Sequence, residues 1–168
     1  SLTVENQVAI VEINRPEKLN AIRIQTYHDI IAALKAADAD DSVGVIIITG
    51  AGGKFTAGND LSDLVGGQAS EVMACVQSIF DTLNQLEKPL IAAVEGVAVG
   101  IGTTLLLHCD MVVASSGTKF RLPFANLGVC PEGGSSALLS LAVGVKNANE
   151  LLLTGRFFSA EEDCSSAC

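Results

Sequence analysis

Two glycine-rich stretches hold the backbone groups best suited to chemistry: GAGGKFTAGND, from Gly50 to Asp60, and GVAVGIG, from Gly96 to Gly102. Each leaves an apolar run that reads as a buried strand. Loops in that position aim backbone N–H groups past the carboxyl ends of the strands, where ligands of open α/β sheets bind. Two such loops can supply two N–H donors to one carbonyl oxygen, which is what an oxyanion hole requires. The same glycines also suit ordinary turns, and spacing alone leaves both readings open. Other loop chemistries fit worse. Lys54 is followed by Phe55, and no glycine stands at position 48, so the phosphate-cradling P-loop pattern is absent. Gly96, Gly100 and Gly102 do not match the dinucleotide fingerprint, and no acidic residue follows at the required distance.

Nothing else offers a rival site. His28 and His108 each lack a second histidine or a carboxylate at metal-ligand spacing, so no metal is expected. Ser135 and Ser136 have no nearby base in sequence and read as helix-start residues. Five cysteines (Cys75, Cys109, Cys130, Cys164 and Cys168) show neither a paired-ligand nor a disulfide-framework spacing. With no secretory signal visible, that points to a reducing, cytoplasmic setting, with the first three as small apolar core residues. A formal charge of −9 argues against nucleic acid, whose phosphates demand clustered Lys and Arg. No apolar run reaches the length of a membrane span.

The elements that must carry these loops are legible as alternating periods. With 49 % apolar residues in 168, the chain can bury one α/β core. Val8 to Ile13 is β-branched and ends at the turn signal Asn14-Arg15-Pro16. Ile24, Tyr27, Ile30, Ile31 and Leu34 recur at helical spacing, closing in the acidic run Asp38 to Asp41. Val43 to Thr49 and Leu90 to Val94 are continuous apolar runs, as in strands covered on both faces. Between them Val72, Cys75, Ile79, Leu83 and Leu86 make a second helical stripe, stopped by Lys88-Pro89. Gly96 to Gly102 reads as a turn, Thr103 to Cys109 as a short helix, Met111 to Ala114 and Phe120 to Leu122 as strands. Ser135 to Leu141 and Ala148 to Leu153 read as helices. Strand–helix–strand repetition predicts right-handed β-α-β crossovers and a largely parallel sheet in one domain.

Several motifs agree with one family. NRPEKLNA (Asn14 to Ala21), AGNDL (Ala57 to Leu61), GVAVGIG and then Cys109-Asp110 resemble, in order and spacing, the signatures of the crotonase (enoyl-CoA hydratase/isomerase) superfamily. The resemblance implies a crotonase-like (ClpP/crotonase) core of repeated β-α-β units over residues 1–162, binding an acyl-CoA thioester. It implies that the oxyanion donors are the backbone N–H groups of Asn59 and Ile101. It also implies that Lys18, Leu19, Ala21, Ala57, Gly58, Asp60, Leu61 and Gly100 border the substrate, with Asp60 bracing the loop of Asn59. Because CoA is polyanionic, attraction falls to local donors and a few cations such as Arg15, Lys18 and Lys54. Coenzyme A enters only as part of the substrate, and no separate cofactor is expected.

The resemblance also bears on which reaction is run. The two glutamates of the hydratase design correspond here to Thr104 and Phe124, neither of which moves a proton as a carboxylate does. LPFANLGVCPEGGSS, from Leu122 to Ser136, resembles instead the Δ3,Δ2-enoyl-CoA isomerase branch, where the Glu after Pro is the base; that residue is Glu132. At the start of a helix, the same Glu would also simply complement the helix dipole. The expected activity is conversion of 3-enoyl-CoA to 2-enoyl-CoA in fatty-acid metabolism. The alternatives are hydration or another crotonase-type thioester reaction, and a non-catalytic acyl-CoA-binding module. Residues 163–168 do not resemble the family, whose C-terminal helical region is missing; the family further implies a homo-oligomer, a trimer or hexamer.

Overall fold

A computed structural model describes residues 1–65 and 67–162; the tail singled out at 163–168 lies outside them. Five strands form the main sheet: β1 (Leu2–Glu5), β2 (Val8–Ile13), β3 (Val45–Gly50), β4 (Leu90–Val94) and β6 (Met111–Ala114), hydrogen-bonded in that order. β1 pairs antiparallel with β2, and every later neighbour is parallel. A second sheet joins β5 (Val97–Val99), β7 (Lys119–Arg121) and β8 (Phe157–Ser159).

Alternation builds the core. Ala9, Val11 and Ile13 of β2, Ile46 and Ile48 of β3, and Leu90, Ala92 and Val94 of β4 are buried, and helices cover them. α1 (Ile24–Ala39) turns Tyr27, Ile30, Leu34 and Ala37 inward, a spacing of three and four that puts them on one face. Its first turn is capped from outside: Asp63, buried in α2 (Leu61–Val65), accepts from the Ile24 N–H at 3.3 Å and from the Arg23 guanidinium at 2.9 Å. α3 (Ala69–Gln85) buries Val72, Cys75, Val76, Ile79, Phe80 and Leu83 and packs against α1. A short α4 (Ile101–Thr104) runs into a 3-10 turn at Leu105–His108. α5 (Phe124–Leu127), α6 (Ser135–Val143) and α7 (Val145–Thr154) follow. The Asp110 carboxylate accepts from the Leu90 N–H at 2.8 Å, pinning the entry of β6 to that of β4.

Two expectations need correcting. The stretch 96–102 is not one turn, because residues 97–99 are a strand paired with β7. Cys130 is exposed rather than a core residue, since it sits in the irregular stretch before α6; Cys75 is buried and Cys109 half-buried. The strand Met111–Ala114 is where it was expected and lies at the sheet edge, with Met111, Val112 and Val113 exposed.

Candidate functional site

Three loops meet above the carboxyl ends of β2, β3 and β4, and polar side chains stitch them together. Asn20 is fully buried in a left-handed conformation, φ 55°. Its Oδ1 accepts from the Arg15 N–H at 2.8 Å, and its Nδ2 donates to the carbonyls of Ala51 (2.9 Å) and Lys54 (2.6 Å). Thr56 Oγ1 donates back to the Asn20 carbonyl at 2.7 Å. Arg15 reaches across to Asp60 at 2.6 Å, and Ser62 donates to the same carboxylate. The Arg15 guanidinium, aided by Ser62, holds the Asp60 carboxyl well below the usual range, so it is an ionised brace.

The strand at 97–99 draws the first glycine loop against the second. Thr56 donates its N–H to the Val97 carbonyl at 3.0 Å and accepts from the Val99 N–H at 3.0 Å. Gly58 then passes so close that a Cβ there would stand 2.5 Å from the Val99 carbonyl oxygen, and its φ of +86° independently requires glycine. Residues 58 and 99–100 are therefore in direct backbone contact.

The bordering amides are taken up internally. Ala57 donates to the Leu19 carbonyl (2.9 Å), Gly58 to Thr56 Oγ1 (3.1 Å), Asp60 to the Ile22 carbonyl (2.9 Å) and Gly100 to the Arg121 carbonyl (2.9 Å). Lys18, Leu19 and Ala21 likewise donate within their own turn, to Arg15, Pro16 and Lys18. Among the described residues, neither the Asn59 nor the Ile101 N–H has an acceptor. Ile101 opens α4, where the first amides have no helical partner and favour negative charge. Leu61 is an exposed residue opening α2.

Glu132 enters from the far side. It precedes Gly133-Gly134 and α6, so it lies just outside the helix rather than in its first turn. It borders a groove of about 660 Å³ together with Met73, Val76, Phe80, His108 and Leu138. Burial pushes its carboxyl up to about 7, and the polar influence of Thr104, three residues past Ile101, partly offsets this. Its Oε1 is buried with no partner among the described residues. An unpaired buried carboxylate oxygen is costly to a fold and is characteristic of functional sites.

Tyr27 links the two sides. Its hydroxyl donates to Asn59 Oδ1 at 2.5 Å, while burial, followed by the charge of Glu132, pushes its phenol up, so it stays protonated. Periodicity assigned Tyr27 only an apolar place, because a hydroxyl on an inward stripe carries no signal about its partner. In the sequence Thr104 signals only a missing carboxylate, and Asn20 only a position in the NRPEKLNA motif. An Asn four residues after a proline, in a turn stretch, was the available clue.

Cys75 Sγ lies 3.6 Å from His28 Nε2, but burial raises its thiol and pushes that of Cys109 up to about 12, so neither is a ready nucleophile. Among the described residues no three His, Cys, Asp or Glu side chains gather to hold a metal ion, and no helix is long and apolar enough to cross a membrane.

Comparison with known proteins gives one consistent answer. A family model described as Enoyl-CoA hydratase/isomerase matches residues 3–165. Enoyl-CoA delta isomerase 2 of Rattus norvegicus is 40% identical over 167 residues, covering 96% of this chain and 42% of that protein. Crotonyl-CoA hydratase of Syntrophomonas wolfei is 38% identical over 165 residues, covering 96% and 64%. The crystal structure of an enoyl-CoA hydratase/isomerase from Pseudoalteromonas atlantica superposes with a TM-score of 0.89 at 40% identity, over 99% of this chain and 66% of that one. The chain thus spans less than two thirds of the length of these relatives.

Proposed function

The chain belongs to the enoyl-CoA hydratase/isomerase family, and we propose that it moves the double bond of a 3-enoyl-CoA into conjugation with its thioester. The observation that carries this reading is the Glu132 carboxylate. It is half-buried, its carboxyl is raised to about 7, and one of its oxygens, itself buried, has no partner among the described residues on the groove.

The thioester carbonyl oxygen sits against the N–H groups of Asn59 and Ile101. Charge that develops there is stabilised by fixed donors, each worth on the order of 10²–10³ in rate. Glu132 takes a proton from C2, leaving a dienolate with its negative charge on that oxygen. The same proton returns to C4. The C3–C4 double bond is lost and a C2–C3 double bond forms, with no net change in atoms or electrons. One carboxylate serves both transfers, and a value near 7 suits a group that must accept and release a proton at neutral pH.

Hydration is less well supported. It needs a second proton-transfer group, and the positions matching the hydratase glutamates hold Thr104 and Phe124, both buried. Relatives named as hydratases and as delta isomerases are both similar to this chain, so the test is direct. Incubation with 3-enoyl-CoA is expected to yield 2-enoyl-CoA, and incubation with 2-enoyl-CoA no 3-hydroxyacyl-CoA. Glu132→Gln is expected to stop the shift while retaining thioester binding. Full activity in that variant, or hydrated product from the unaltered chain, refutes the reading.

A further inference from the structure

We propose that His108 is a positioning residue for Glu132: by gripping the carbonyl of Gly133 it fixes where the neighbouring carboxylate stands in the groove. The proposal rests on the reading of Glu132 as the base, and it begins with how weakly that residue is held by its own segment. Gly133 and Gly134 both have positive φ, 59° and 65°, and the cap of α6 is Gly134, with no side-chain hydrogen bond. Among the described residues, the backbone of 130–134 makes one hydrogen bond beyond itself and the adjoining α6. This is His108 Nε2 to the Gly133 carbonyl, at 2.8 Å.

The imidazole is itself fixed. Its ring packs on Phe80, centroid to centroid 4.8 Å, and its Nδ1 lies 3.2 Å from the side-chain amide of Asn84. Phe80 also presses on Gly133: a Cβ at that position would come within 2.3 Å of Cζ, so the backbone lies directly on the aromatic ring. α3 and the turn after α4 therefore clamp one peptide, and Glu132 is the next residue toward the N-terminus. Because a carbonyl can only accept, Nε2 must carry a proton. The Asn84 side-chain amide, whose Oδ1 faces Nδ1, carries both an acceptor and a donor and can meet the ring nitrogen with either.

The experiment compares the full chain with His108→Leu, which lacks the donor, and His108→Gln, whose amide nitrogen can reach the place of Nε2. In His108→Leu, kcat on 3-enoyl-CoA is expected to fall roughly 10- to 100-fold, the scale of a small misplacement of a catalytic group. KM should stay within about two-fold, since substrate binding is not the property altered. Amide exchange at 130–135 should quicken, and the Glu132 carboxyl, followed by carbon NMR and assigned with Glu132→Gln, should titrate lower. His108→Gln should recover most of each. Unaltered exchange and titration in His108→Leu overturn the proposal, as does a His108→Gln variant no better than Leu. If His108→Leu does not fold, His108→Asn, too short to reach Gly133, takes its place in the same comparison. If the unaltered chain does not isomerise, the reading of Glu132 as base fails, while exchange and titration still decide the role of His108.

Discussion

The Tyr27 hydroxyl, projecting from α1, meets the side chain of Asn59 at 2.5 Å and so fastens the loop bearing one unpartnered amide to the helix that lines the sheet. This bond joins residues 32 apart in the chain, and it makes an interior phenol part of the geometry of the proposed thioester site.

Tyr27→Phe should therefore separate stability from turnover. Loss of one such hydrogen bond costs about 1 kcal/mol in unfolding free energy. The rate should fall further than that suggests, on the order of tenfold in kcat, because a donor aimed at developing charge loses its aim. Steady-state kinetics beside denaturant unfolding reads both. Equal stability and equal kcat would remove Tyr27 from the site.

The raised carboxyl of Glu132 predicts opposite pH trends for rate and stability. The base is free only when ionised, so kcat/KM should rise with pH through about 7 and level off above it. The proton is bound more tightly in the folded chain than at the ordinary Glu value of about 4.3. The stability it contributes is full below that value and is lost as pH rises through about 7. Denaturant midpoints measured from acid to mildly alkaline pH should show this decline, and Glu132→Gln should flatten it.

Asn20→Ala should be among the most damaging polar substitutions in the chain. It strands the carbonyls of Ala51 and Lys54 and the N–H of Arg15, and it places alanine at a φ of 55°. With unsatisfied buried groups costing about 1–3 kcal/mol each, a loss of about 3 kcal/mol or more is expected in urea unfolding. A loss under about 1 kcal/mol would mean the loops hold without it.

The exposed apolar surface predicts self-association. Leu141 is 84% and Leu153 75% exposed, and Met111, Val112 and Val113 lie open along the sheet edge. Leu106, Leu107, Phe120 and Leu138 help line a further groove of about 460 Å³ that includes Leu141 and Val112. Apolar surface of this kind drives association. Light scattering at micromolar concentration should find assemblies, whereas a stable monomer would contradict the expectation.

Much of the frame was legible because its residues obey a period. Leu90–Val94 and Met111–Ala114 are strands as read, and the stripes from Ile24 and Val72 are the long helices α1 and α3. What escaped had no period to show. All four residues of β1 are exposed, β8 is three residues long, and β5 hides between glycines because its partners are Thr56 and β7. The loops of the candidate site were legible as motifs, but the clasp between His108 and Gly133 spans 25 residues and depends on a helix that neither belongs to. Such contacts arise only from tertiary packing, which local spacing does not encode.

The main sheet is laid down in the order of synthesis: each strand from β1 to β4, then β6, docks beside the one made before it. A chain emerging from the ribosome can thus extend its sheet outward without displacing a finished pair, and its early helices close over strands already formed. Glu132 cannot be seated until α3 and residues 105–108 are in place to receive its turn. During biogenesis the scaffold matures first, and the proposed proton-transferring group arrives on a surface already built.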